Sequence, residues 1–218
     1  MTDSARRRPL KIRNRLIMQR SAAWLSQRQV TPNQISVMSV VCAAIGAVAL
    51  VMAGRSVGIP QSLCFVLAAL MIQGRLLCNL FDGMVAMEGG KQTPSGELYN
   101  DVPDRIADVL FILGCGFALP EYPSAMWLAW SGALLAVMTA YIRVLGVSLG
   151  LPADFRGPQA KPHRMALLTG ACLVSALEFL WDGQGQVLWI ALILLAAGSA
   201  LTCVLRLRGI HLQLNARA

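Results

Sequence analysis

Apolar residues run along this chain in six long stretches, about 33–53, 60–81, 98–119, 124–148, 164–181 and 186–205, separated by short polar segments. Each approaches the roughly 20 residues that a helix needs to cross a bilayer. The pattern predicts an all-α integral membrane protein with six transmembrane helices. The third stretch is the least apolar, because Asn100, Asp101, Asp104, Arg105 and Asp108 fall within it. Pro and Gly gather at 54–60, 89–96, 150–162 and 183–185, where the stretches end. Ahead of the first stretch, Leu10, Ile17 and Trp24 recur every seven residues among arginines. That spacing predicts an N-terminal amphipathic juxtamembrane helix lying on the membrane surface. The expected organisation is a basic amphipathic segment at 1–30, a six-span domain at 31–208 and a tail at 209–218.

Composition agrees. Of 218 residues, 56% are hydrophobic and only 14% charged, and the mean hydropathy is +0.58; a soluble domain carries about a quarter charged residues. The net charge of +8 is unevenly placed. Arg6, Arg7, Arg8, Lys11, Arg13, Arg15, Arg20 and Arg28 precede the first stretch, and Lys91, Arg156, Lys161, Arg164, Arg206, Arg208 and Arg217 fall on the same side. Arg55 stands alone on the other. The positive-inside rule therefore puts both termini and the 82–97 loop in the cytoplasm, with the protein in the cell's inner (plasma) membrane. Topology and anionic lipid account for the basic excess, so no nucleic-acid partner is expected. The first thirty residues show no early apolar core or cleavage site, hence no secretory signal. Cys42, Cys64, Cys78, Cys115, Cys172 and Cys203 lie in or beside the stretches without a CxxC pair and read as packing residues. Trp127, Trp130, Trp181 and Trp189 flank the outer face, where aromatic belts form.

Polar residues inside apolar stretches are expensive and usually functional. Asn79 and Asp82, three apart, share a helix face, with Arg75 one turn deeper. On the third stretch Asn100, Asp104 and Asp108 recur every four residues. Asp104 should lie about 6 Å and Asp108 about 12 Å beyond Asn100 at ~1.5 Å per residue. Such a stripe must line a cavity inside the bundle, open to the cytoplasm. Oxygen donors from two helices suit a hard cation such as Mg²⁺, which also holds phosphates. The plain alternative is an interhelical hydrogen-bond network without metal. Pro103 is expected near the start of its helix, where a missing N–H is tolerated.

These residues resemble the signature of the CDP-alcohol phosphotransferase family, D-x2-D-G-x2-A-R-x8-G-x3-D-x3-D. Asp82, Gly83, Ala86, Gly96 and Asp104 match in identity and every spacing matches. Thr31-Pro32-Asn33 is similar to the family's usual entry to the first span, and the six-span layout extends the resemblance over most of the chain. Three positions depart: Asn79 and Asn100 stand for the first and third Asp, and Met87 for the Arg, with Glu88 beside it. The double Asn resembles a less common branch of the family.

The resemblance implies an enzyme of phospholipid synthesis that moves a phosphatidyl group from CDP-diacylglycerol to a small alcohol, phosphorylated or not, and releases CMP. It implies catalytic roles for Asp104, as base, and Asp82. Asn79, Asp82, Asn100 and Asp104 would ligate Mg²⁺ (or Mn²⁺), with Asp101 and Asp108 in support. Where the family's four Asp hold two metals, two uncharged amides favour one. Gly83, Ala86, Gly96 and Asn33 would surround CDP, and a homodimer among membrane lipids is implied. Arg143, Lys161 and Arg164 form a cationic group on the same face, suited to an acceptor phosphate; Arg156 and His163 are explained by topology alone. Two rival readings remain open. A non-catalytic CDP-lipid or anionic-lipid binding relative is motivated by Asn79, Asn100 and Met87. A small ion-coupled transporter would place its site at the bilayer midplane, where only Asp108 reaches.

Overall fold

The structure, a computed structural model, describes residues 16–88, 95–181 and 183–217. Among these there is no strand. Seven α-helices follow in order: α1 Leu16–Gln27, α2 Pro32–Ala53, α3 Ile59–Glu88, α4 Gly96–Phe117, α5 Ala125–Ser148, α6 Lys161–Ser175 and α7 Gln186–Asn215. A 3-10 turn, Glu178–Trp181, joins α6 to α7.

The last six helices close into a ring. α2 packs on α3 and α4, α4 on α5, α5 on α7, α7 on α6, and α6 back on α3. Small residues make these crossings close. α2 turns Ser36, Ser39, Ala43, Gly46, Ala49 and Ala53 inward, while Val37, Met38, Val41, Ile45 and Val48 point out. A Cβ on Gly46 would stand 2.4 Å from Phe111 Cε1, and one on Gly114 would stand 3.1 Å from the Ala47 Cα. α2 and α4 thus meet almost backbone to backbone, as small residues permit between helices in lipid. On the far side Gly132 of α5 receives Leu195 of α7.

Local signals set the helix ends. The Thr31 hydroxyl accepts from the Gln34 amide at 3.3 Å while the Gln34 side chain accepts from the Thr31 amide at 3.0 Å, a reciprocal cap followed by Pro32 in the first turn. α6 stops at Ser175, six residues short of the expected 181. Buried Glu178 accepts from the backbone amides of Gly185 and Val187 at 2.9 and 2.8 Å, so it caps α7 and the chain must turn. α3 stays helical through Gly83 to Glu88. Because α4 starts at Gly96, Pro103 lies about two turns inside it rather than near its start. It removes the helical bond that would reach the Tyr99 carbonyl.

A helix forms in each of the six expected stretches, and among the described residues four are long and apolar enough to cross a membrane: α2, Ile59–Ala86 of α3, α5 and α7. α4 is too charged, and the 15 residues of α6 rise only about 22 Å against a hydrocarbon core of about 30 Å. α1 covers part of the expected N-terminal helix; Leu10 lies outside the described residues. Met18, Ala22 and Leu25 of α1 pack with Ile35, Leu80, Met84 and Val85. Trp24 is exposed, with the Arg28 guanidinium 5.4 Å above its ring.

Gly46→Val should lower the stability of the protein in detergent by about 1–3 kcal/mol, through overpacking against Phe111. Thermal unfolding midpoints would measure this, and adding Phe111→Leu should recover part of the loss.

Candidate active site

The ring encloses a chain of charges. Arg75 of α3 is wholly buried. Its Nη2 donates to Asp108 Oδ1 at 2.7 Å, to Asp104 Oδ1 at 3.3 Å and to the Asp104 carbonyl at 3.2 Å. The second Asp108 oxygen accepts from Arg164 Nη2 of α6 at 2.8 Å. Arg164 Nη1 continues to the Gln159 carbonyl at 2.6 Å and the Thr139 hydroxyl of α5 at 3.2 Å. Arg75, Asp108 and Arg164 are each at most 1% exposed. Charges so buried persist only when paired and hydrogen-bonded, and losing one partner is costly. Nε and Nη1 of Arg75 and Nε of Arg164 meet no partner among the described residues.

Asp104, one turn from Asp108, is the meeting point. Asn79 Nδ2 donates to its Oδ1 at 2.5 Å, beside Arg75. The Lys161 ammonium donates to its Oδ2, and Arg105 lies 3.8 Å from the same oxygen. Asp82 is also buried; its Oδ2 accepts from Ser36 of α2 at 2.7 Å. The structure therefore brings together Asn79, Asp104, Asp108, Lys161 and Arg164 of the expected residues, with Asp82 one turn along α3 from Asn79. Asn100 lies on the same helix but is exposed. Gly83 and Ala86 are half-buried on α3, Asn33 is half-buried in the first turn of α2, and Gly96 begins α4. The side chains of Met87 and Glu88 lie outside the described residues.

The three expected acceptor cations separate. Arg164 is committed to Asp108 and braces α6 against α4. Arg143 is partly exposed, 3.1 Å from Asp101 and 5.8 Å from the Phe155 ring. Lys161 opens α6 at the end of a loop pinned to α7. There Arg206 Nε donates to the Arg156 carbonyl at 3.0 Å, and the Gln159 amide donates to Thr202 at 3.1 Å. Burial alone would raise the Asp154 carboxyl in this loop, but hydrogen bonds from Arg156 hold its pKa below the ordinary value.

A divalent cation fits this donor set. The carboxylates of Asp82 and Asp104 and the Asn79 amide oxygen are hard ligands, and Mg²⁺ is commonly held by one or two carboxylates plus substrate phosphates. Asp104 already takes positive charge at both oxygens from Lys161 and Arg75. Among the described residues no three His, Cys, Asp or Glu side chains converge, so a cage made wholly by such side chains is not built.

Residues 29–204 match the family model described as CDP-alcohol phosphatidyltransferase. The chain belongs to that family. Among its relatives, it is 27% identical over 173 residues to the inner membrane protein YnbA of Escherichia coli (strain K12), covering 79% of this chain and 82% of that one. It is 29% identical over 198 residues to a phosphatidylinositol phosphate synthase of Streptomyces avermitilis, covering 85% and 74%. Two solved structures of a Mycobacterium tuberculosis phosphatidylinositol phosphate synthase, PgsA1, share its fold. The one with CDP-DAG bound superposes with TM-score 0.74 at 23% identity, covering 89% of this chain and 93% of that one. The one in complex with manganese and citrate gives 0.74 at 22%, covering 88% of each.

Sequence reasoning missed Ser36 and left Arg75 without a role. A serine in an apolar helix carries no signal of its own. Arg75 did: a cation nearly two turns inside the end of an apolar run needs an acid, and Asp108 was the acid of matching depth.

Asp108→Leu strips Arg164 of its acid and leaves Arg75 with Asp104 alone, and should cost about 3–5 kcal/mol. Thermal unfolding in detergent would measure the loss, and Asp108→Leu with Arg75→Met should lose less than the two single changes summed.

Proposed function

We propose that the chain transfers a phosphatidyl group from CDP-diacylglycerol to a small alcohol and releases CMP, with its site at the cytoplasmic face of the inner membrane. Six helices, α2 to α7, cross the bilayer in this reading, and α1 lies on its surface with Trp24 toward lipid. The observation that carries the proposal is the Asp104 carboxylate, buried at the junction of α3, α4 and α6 and addressed by Asn79, Arg75 and Lys161. Membership of the family supports it, as does the pairing of PgsA1 with CDP-DAG and with manganese.

In this mechanism Asn79, Asp82 and Asp104 would hold one Mg²⁺ or Mn²⁺, with Asn100 reaching it from the rim. When bound, that ion supplies charge stabilisation to the pyrophosphate. Ser36 fixes Asp82 by donating to Oδ2. Asn79 and Arg75 fix Asp104 by donating to Oδ1, and Lys161 donates to Oδ2. The acceptor hydroxyl gives its proton to the Asp104 carboxylate as its oxygen bonds the β-phosphorus, and the bond from phosphorus to the CMP oxygen breaks. Gly83, Ala86, Gly96 and Asn33 line the CDP. Lys161 and Arg143 receive an acceptor that carries a phosphate, whereas Arg164 braces them, and Asp101 positions Arg143. Two such chains form a homodimer.

The test is CMP release from CDP-diacylglycerol by protein in lipid nanodiscs, supplied with Mn²⁺ and pooled alcohols and phospho-alcohols. Asp104→Asn should lower turnover by about 10²–10⁴-fold, the usual scale of general-base loss. Near-normal turnover in that variant would remove Asp104 from the chemistry. Metal-dependent CDP binding without CMP release would instead favour a non-catalytic lipid-binding relative.

A further inference from the structure

We propose that the Lys161 ammonium is a displaceable occupant of the Asp104 carboxylate, which an incoming divalent cation must evict and which then serves an incoming phosphate. This rests on the metal-binding reading of Asp104 given above. Two side-chain cations contact Asp104 most closely, and they differ in freedom. Arg75 is wholly enclosed and tied also to Asp108 and to the Asp104 carbonyl, so it cannot leave. The Lys161 side chain is 26% exposed, sits on the first residue of α6, and hangs on a flexible four-carbon stem.

Lys161 and a divalent cation compete for one oxygen. The ammonium donates to Oδ2, while Oδ1 is already shared by Asn79 and Arg75. An ion taking Oδ2 would sit against a like charge in a half-buried site, where repulsion is poorly screened. Moving Lys161 aside relieves that repulsion. The destination is marked by α4 itself. Asp101 stands one turn before Asp104 and holds Arg143 at 3.1 Å, and Arg105 lies within 4 Å of both acids, at 3.7 and 3.8 Å. A freed Lys161 therefore joins Arg143 and Arg105 on one rim of α4. Three cations gathered there suit a phosphate monoester. Metal binding and phosphate binding become linked through a single side chain, so each strengthens the other.

The test is Mn²⁺ binding, followed by electron paramagnetic resonance, to the full chain in phosphatidylcholine nanodiscs with and without inorganic phosphate. Lys161→Gln should bind Mn²⁺ about tenfold tighter than the parent, the scale of one lost charge-assisted competitor. Lys161→Arg should bind no tighter than the parent. Phosphate should tighten Mn²⁺ binding in the parent and leave Lys161→Gln unchanged. In the unaltered protein, Mn²⁺ should also raise the labelling of Lys161 by an amine-reactive acetylating reagent, read by mass spectrometry. If the parent binds Mn²⁺ through Asp104, as loss in Asp104→Asn would establish, yet Lys161→Gln binds it equally or more weakly, only the displacement is overturned. Labelling of Lys161 that ignores Mn²⁺ overturns it as well. If the parent binds no Mn²⁺, both the displacement and the metal reading fail.

Discussion

One carboxylate shared between two guanidiniums holds this molecule in register. Asp108 offers one oxygen to Arg75 and the other to Arg164, all three closed off from solvent. In a low-dielectric interior such a group is stable only as a complete set, and each member enforces the position of the others. α3, α4 and α6 are fixed together by that set, and Thr139 ties in α5. Asp104 inherits its place from it, because the Arg75 nitrogen that bonds Asp108 also reaches Asp104 Oδ1. The reactive end of the cluster is thus positioned by its inert end.

Much of this was legible in the sequence, for a physical reason. Acids in an apolar run are too costly to be incidental, so Asp82, Asp104 and Asp108 announced themselves, and their spacing placed them on facing helices. The limits of the apolar stretches located the helices, since hydropathy and helix length are tied in a membrane protein. What escaped was decided by partners distant in the chain. The pairing of Arg164 with Asp108 escaped because composition does not say which acid a cation meets. The end of α6 escaped because it depends on Glu178 finding two backbone amides near residue 186. Ser36 escaped because its hydroxyl means something only beside Asp82.

The amide at 79 also takes on a physical meaning. An aspartate there would set a second negative charge against Asp104 Oδ1, whereas the Asn79 amide donates to it. Asp104 and Asp108 then face Arg75, Lys161 and Arg164, with Arg105 3.8 Å from Asp104. The buried acids are met by cations of the chain's own side chains. A site poised in this way can exchange one of its own cations for another, which a site with a large excess of acid would not do.

The ring carries a consequence for how the protein is made. Its neighbours in sequence, α2 with α3, α4 with α5 and α6 with α7, form three hairpins, and the ring closes where α3 meets α6 and α5 meets α7. A ribosome delivers these hairpins in order, and early segments fold before late ones arrive. Until the third hairpin emerges, Asp108 has one guanidinium instead of two and the wall beside α3 stands open. The third hairpin is therefore the one that completes the electrostatics of the first two. A chain cut short before α6 would leave Asp108 with Arg75 as its one guanidinium and the α3 wall uncovered.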